Sequence, residues 1–223
     1  MKAVVAWSSG KDSAYALHVA RENGEVEIVG ALTTLTEPFE RVSMHGVREA
    51  LLDRQMAEAD LTCTKVRIPS PCSNEIYDAR MAAAMETLKA EGVTHVIFGD
   101  LFLEDIRAYR EERLTPLGVT SLFPLWQRDT TELAREMVSS GVRAIVTCVD
   151  PRVLPASFAG RVVDAAFLAD LPEGVDPCGE NGEFHTVVVE GPMFRHPIEV
   201  ERGEVVERGG FVFADVIPTA NTP

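Results

Sequence analysis

Positive charge is scarce in this 223-residue chain: 21 Lys and Arg stand against 35 Asp and Glu, for a formal net charge of −14. That excess opposes sequence-independent binding to a polyphosphate backbone, so generic nucleic-acid binding is not expected, although a local basic patch can coexist with an acidic whole. Long apolar runs are missing too. None approaches the ~20 residues that span a bilayer, and the run before Ser8 has only five residues, too few for the core of a secretion signal. The expectation is a cytoplasmic protein without membrane contact. The four cysteines, Cys63, Cys72, Cys148 and Cys178, form no CxxC or CxxH pair. Neither a structural zinc site nor a disulfide framework is therefore expected, and the cysteines read as small core residues or free thiols. Internal repeats and low-complexity tracts are absent as well.

What is present is an alternation of strand and helix. Residues 2–7 (KAVVAW) read as a buried strand and 13–23 as a helix ended by Gly24. Strands follow at 25–35, 64–69 and 94–100, with helices at 45–60 and 73–92, the latter between Ser73 as N-cap and Gly92 as C-cap. Near-continuous apolar strands joined by helices predict a doubly wound parallel sheet covered on both faces, an α/β fold. After residue 125 the rhythm changes. A helix at 130–141, capped by Thr130 or Thr131, and a strand at 142–150 precede a stretch rich in Pro and Gly with a short helix at 161–171. Residues 198–218 alternate like hairpin strands around Gly203 and Gly209-Gly210. The chain is thus divided into a larger domain at 1–125, a smaller α+β domain at 126–218 and a tail at 219–223.

The first strand-to-helix turn, SSGKDS at 8–13, occupies the usual phosphate site of such a sheet. Unpaired N–H groups at a helix start form an anion socket, to which Ser hydroxyls and a Lys ammonium add donors. The Walker pattern fails, since it requires Gly and Ser or Thr where Val5 and Asp12 stand; the dinucleotide pattern fails because Gly10 is alone. A capped helix without ligand is the plain alternative. Ser8, Gly10, Lys11, Asp12 and Ser13 resemble the pyrophosphate-loop signature of the N-type ATP pyrophosphatases, departing from it at Ser9, where that group has glycine. The resemblance implies cleavage of ATP between its α- and β-phosphates, with Lys11 and Mg2+ stabilising the departing pyrophosphate, and Asp12 either holding the Mg2+ or bracing the loop.

Two further stretches are dense in functional side chains. FGDLFLEDIRAYREERL, 98–114, leaves a strand end at Gly99-Asp100; its charges also suit a solvated helix face with pairs such as Arg107 and Glu111. DPCGENGEFHTVVVEGP, 176–192, brings Glu180, Glu183 and His185 beside glycines, or is a polar turn. Together with SSGKDS these stretches resemble the diphthine–ammonia ligase family over roughly residues 1–218. The resemblance implies a HUP-type nucleotide domain with a smaller domain completing a cleft. It also implies adenylation of a carboxylate by ATP, followed by attack of ammonia. The acceptor is diphthine on translation elongation factor 2 in the eponymous enzyme, or another molecule in short members. Glu180, Glu183 and His185 then line the acceptor side, holding ammonium and taking its proton, and Thr186 adds a hydrogen bond. Thr33, with Leu32 and Thr34, sits where the superfamily's backbone reads adenine, and His45, in SMHG at the start of the next helix, faces the nucleotide or only caps that helix. Gly99 and Asp100 belong to the ATP side. Two rival readings stay open: a pyrophosphate-loop enzyme acting on RNA or another acceptor, and a non-catalytic ATP-binding module.

Overall fold

The computed structural model describes residues 1–219; apart from Thr219, the expected tail at 219–223 lies outside them. The apolar run at the start becomes β1 (Lys2–Ala6), with Val4 and Val5 buried, and it lies in the middle of a parallel sheet. On one side it pairs with β2 (Glu27–Thr36) and on the other with β5 (Val93–Ile97). β2 pairs in turn with β4 (Thr62–Ile68) and β5 with β6 (Thr120–Leu122), all parallel, while the short β3 (Arg41–Val42) runs antiparallel to the end of β2. The chain therefore winds away from β1 in both directions, and the carboxyl ends of β1 and β5 flank the crevice where such sheets bind ligands. Helices α1 (Lys11–Asn23), α2 (Glu49–Ala59), α3 (Asn74–Ala90) and α4 (Glu104–Leu114) cover this sheet. The expected doubly wound α/β architecture is observed.

A second sheet, antiparallel throughout, has the order β8 (Phe184–Glu190), β7 (Arg143–Val149), β10 (Phe211–Pro218), β9 (Val200–Arg208). The β9–β10 hairpin turns at Gly209-Gly210 as expected, whereas Gly203 lies within β9. α5 (Thr130–Ser139) and α6 (Ala165–Asp170) accompany this sheet. One apolar cluster, including Leu17, Val146, Phe167, Phe184 and Val188, runs through both sheets. Among the described residues no helix is long and apolar enough to cross a membrane. The cysteines are free, with Cys148 and Cys178 buried.

Three local expectations are corrected. The second helix starts at Glu49 rather than His45, because Val42 N–H bonds to Val47 O (2.8 Å) and Gly46 N–H to Val42 O (3.0 Å), closing a turn instead. α5 is capped by Asp129, whose carboxylate accepts from Glu132 N–H at 2.8 Å, and not by a threonine; a carboxylate also suits the positive end of the helix. The short helix expected at 161–171 forms only over Ala165–Asp170, started by the Asp164 carboxylate on Phe167 N–H (2.7 Å).

The two sheets meet along a polar seam within the apolar core. Val188 N–H of β8 donates to Ser9 O at 2.9 Å. The fully buried Gln55 of α2 donates to Ser9 O (3.1 Å) and Val188 O (2.7 Å) and accepts from Trp7 Nε1 (3.0 Å). Gln55→Leu preserves apolar volume but strips partners from dry polar groups. It should lower unfolding free energy by about 3 kcal/mol in urea denaturation, since each abandoned group costs about 1–3 kcal/mol.

Candidate active site

The loop at 8–13 is built by its own hydroxyls and by neighbours that press on it. Ser13 Oγ accepts from Ser8 N–H (3.2 Å), lies 3.0 Å from Ser8 Oγ and donates to Gly10 O (3.1 Å), so the serines tie the loop to the first turn of α1. Ser9, the residue at variance with the signature, is fully buried and adopts φ 69°, the left-handed backbone that glycine takes freely; its Oγ has no partner. Gly99 at the end of β5 lies directly against α1: a Cβ there would stand 2.6 Å from Asp12 C and 2.7 Å from Ser13 N. Gly99 therefore serves by letting the helix start approach the strand end. Gly10 has an ordinary φ of −84°, yet a Cβ on it would lie 2.6 Å from His45 Cε1. His45 thus sits over the loop from the turn before α2, and its Nδ1 is 3.0 Å from Thr186 O, which requires the Nδ1–H tautomer.

Beside the loop opens a cavity of about 400 Å³ at the carboxyl ends of β1, β2 and β5. Tyr77, Met81, Met85 and Phe98 supply apolar walls, and Ser8, Thr33 and Arg110 supply polar ones. Thr33 Oγ1 is buried without a partner. Of the predicted residues Ser8, Leu32, Thr33 and Thr34 line this cavity. Lys11 turns the other way: at 3% exposure its Nζ donates to both Asp12 carboxylate oxygens (2.8 and 2.9 Å) and to Cys178 O, and lies 5.3 Å from the Phe184 ring centre. Burial is the largest single influence and works against its charge, but the Asp12 carboxylate, joined by Cys178 and Asp176, outweighs it and holds the ammonium pKa above its ordinary value.

The late segment joins this cluster. Glu180 accepts from Leu101 N–H at 2.7 Å, and burial, reinforced by the charges of Asp12 and Asp100, pushes its carboxyl up to about 7. Asp100 forms a two-pronged pair with Arg110 (2.7 and 3.0 Å), and Arg110 in turn reaches the cavity wall and stacks on Phe98. Glu183, 6% exposed, accepts through Oε1 from Asp176 N–H (3.1 Å) and Asn181 Nδ2 (3.0 Å), while its Oε2 is buried without a partner. His185 lies against His45 with ring centres 4.7 Å apart; burial lowers the two imidazoles to about 3 and about 4, so both are neutral. Apart from Leu32, Thr33 and Thr34, the predicted residues thus gather around the start of α1, and of these only Ser8 also reaches the cavity wall.

Two residues that organise the site escaped the sequence reading. Asp176 closes the late segment on itself, its Oδ2 accepting from Glu180 N–H at 2.9 Å; its signal was a carboxylate within the quoted DPCGENGEFHT. Gln55 had a clearer one, a lone amide on the buried stripe of Leu51, Leu52, Met56 and Ala59.

Residues 1–121 match the Diphthamide synthase N-terminal domain, and residues 129–215 the Diphthamide synthase C-terminal domain. The chain belongs to this family. Among its relatives is the diphthine–ammonia ligase of Homo sapiens, 35% identical over 120 residues, 51% of this chain and 45% of the relative. That of Mus musculus is 32% identical over 155 residues, 67% of this chain and 58% of the relative. That of Schizosaccharomyces pombe is 36% identical over 95 residues, 41% of this chain and 16% of the relative. The chain spans about half the length of the mammalian relatives it matches.

Ser9→Gly should raise unfolding free energy by about 1 kcal/mol, the cost of a left-handed backbone at a non-glycine residue, measured by urea denaturation. The buried histidines add a pH dependence. Their native values lie below the unfolded one of about 6.5, so the unfolded chain binds more protons and their contribution is lost as pH falls from about 6.5 toward 4. Glu180, held high, acts in the opposite sense between about 7 and 4.5. Comparing urea midpoints at pH 7.5 and 5, His185→Gln should lose less stability than the parent.

Proposed function

We propose that this chain is an ATP-dependent ligase that adenylates a carboxylate, releases pyrophosphate and lets ammonia displace AMP to form an amide. The observation that carries the reading is the reach of Glu180, from the late segment, to Leu101 N–H beside the phosphate-type loop, with its carboxyl poised at about 7. A general base works best with a pKa near the working pH. Glu180 is therefore suited to take the proton that ammonium must shed before nitrogen attacks. The reading brings together nucleotide chemistry in residues 1–125 and acceptor chemistry in 126–218.

The donor set fits ATP. The apolar walls of the cavity suit a flat base, and the unpartnered Thr33 hydroxyl is a group that a nucleoside would satisfy. Helix geometry leaves the N–H groups of Asp12 and Ser13 without intrahelical acceptors, which suits phosphate oxygens. For Mg2+ the protein offers little: among the described residues no cluster of three or more His, Cys, Asp or Glu forms a metal site. A magnesium ion carried with ATP needs only one or two carboxylates beside phosphate oxygens, and Asp12, with a quarter of its side chain exposed and Lys11 bracing it, would hold it. When bound, that ion would offset charge on the departing pyrophosphate. Lys11 is placed to orient Asp12 more than to touch phosphate. On the acceptor side the unpartnered Glu183 Oε2 calls for a donor, which ammonium supplies, and neutral His45 and His185 add no positive charge to repel it. The acceptor is a carboxylate on a protein, such as diphthine on translation elongation factor 2, or on a small molecule.

Incubation with ATP, ammonium and a carboxylate acceptor should release AMP and pyrophosphate; ADP and phosphate would overturn the reading. Asp12→Ala should abolish turnover in a folded protein. Glu180→Gln should retain ATP binding, cut amide formation by about 100-fold, a typical contribution of acid–base catalysis, and erase the rise in rate with pH through about 7.

A further inference from the structure

Thr186 stands where the two sheets meet at the phosphate-type loop, and it is 2% exposed. Its hydroxyl oxygen accepts from Lys11 N–H at 3.1 Å, and its carbonyl is the 3.0 Å partner of His45 Nδ1. Lys11 is the first residue of α1, and Gly10 at the N-cap position has no side chain with which to cap it. Normally the N-cap side chain satisfies one of the free N–H groups of the first turn. Here the cap comes from 175 residues away, on β8. Two positions along that strand, Val188 N–H holds Ser9 O at 2.9 Å. The loop is thereby held on β8 at two alternate residues, once through the Thr186 side chain and once through the Val188 backbone N–H.

We propose that Thr186 is a positioning residue, whose hydroxyl caps α1 from outside and fixes the phosphate-type loop in register with the segment bearing Glu180, Glu183 and His185. The inference rests on the ligase reading only for its catalytic consequence. The cap takes the Lys11 N–H out of the anion socket, leaving the N–H groups of Asp12 and Ser13 to the ligand. It also sets how far the loop stands from the acceptor-side carboxylates, since the segment carrying Glu180 and Glu183 runs directly into β8. A strand-borne cap explains why the loop tolerates glycine at its N-cap position.

Two substitutions separate this role from plain packing. Thr186→Val keeps shape and burial but removes the acceptor, whereas Thr186→Ser keeps the acceptor and drops a methyl. In Thr186→Val, backbone amide exchange at Lys11 and Asp12 should quicken about tenfold, and calorimetric ATP binding should weaken about fivefold, the scale expected for one abandoned hydrogen bond. Exchange at Leu17 and Ala20, farther along α1, should stay as in the parent, and Thr186→Ser should match the parent in every measurement. Unchanged exchange at Lys11 in Thr186→Val overturns the inference, whatever reaction the protein catalyses. So does a Thr186→Ser variant with exchange as fast as that of Thr186→Val, because packing of the methyl would then hold the loop. Should Thr186→Val fail to fold, Thr186→Cys with its weaker acceptor decides: exchange between parent and tenfold faster supports the cap, and parent-like exchange refutes it. Absence of AMP release from the parent protein, with the exchange pattern as expected, would refute the ligase reading and leave the cap standing.

Discussion

The grip of β8 on the loop at 8–13 is the constraint from which the rest of the site follows. Backbone groups inside a protein must find partners, and the loop at 8–13 has several to satisfy. Here Ser9 O is met by Val188 N–H and by Gln55 Nε2, so the back of the loop is paired by the second sheet and by α2. The two sheets cannot separate along this line without exposing those groups. The residues that distinguish the late segment are therefore held beside the helix start by the backbone of β8, with the Gln55 amide and the Thr186 hydroxyl fixing the same line.

Within that frame, charge is arranged to remain usable although buried. Lys11 and Asp12 neutralise one another, and the Cys178 carbonyl takes a further ammonium hydrogen. A lone buried ammonium or carboxylate would cost several kcal/mol or change its protonation state. The same logic leaves Glu180, which has backbone donors but no cation on it, with a carboxyl near neutrality. Asp12 is pushed the same way, chiefly by its own burial, with the Lys11 ammonium opposing the shift. Asp100, clamped by Arg110, is a third case, fixed as a link between the cluster and the cavity wall.

The doubly wound sheet was legible because β1, β2 and β5 are dominated by apolar, largely β-branched residues and their helices carry clear ends, Ser73 among them. The loop was legible because SSGKDS stands directly after β1. Less was readable where long-range pairing decided local form. The turn at 42–48 looks like the opening of a helix until Val42 pairs with Leu35 of β2, and Asp129 outcompetes the threonines beside it because a carboxylate is the stronger cap. The direction of Lys11 was not readable either: its partner Cys178 lies 167 positions away. Ser9 was the one visible discord in the loop, and it takes the backbone conformation that glycine adopts without strain.

Gly10 carries a different lesson. Its backbone angles are open to every amino acid, so the requirement for glycine there comes from the imidazole of His45 lying over it. The two positions form a lock and a stop. Among descendants of this sequence, a side chain at position 10 becomes admissible only once the ring at position 45 has moved aside or been lost. The pair should drift together, and a motif that looks local is in part written by a residue outside it.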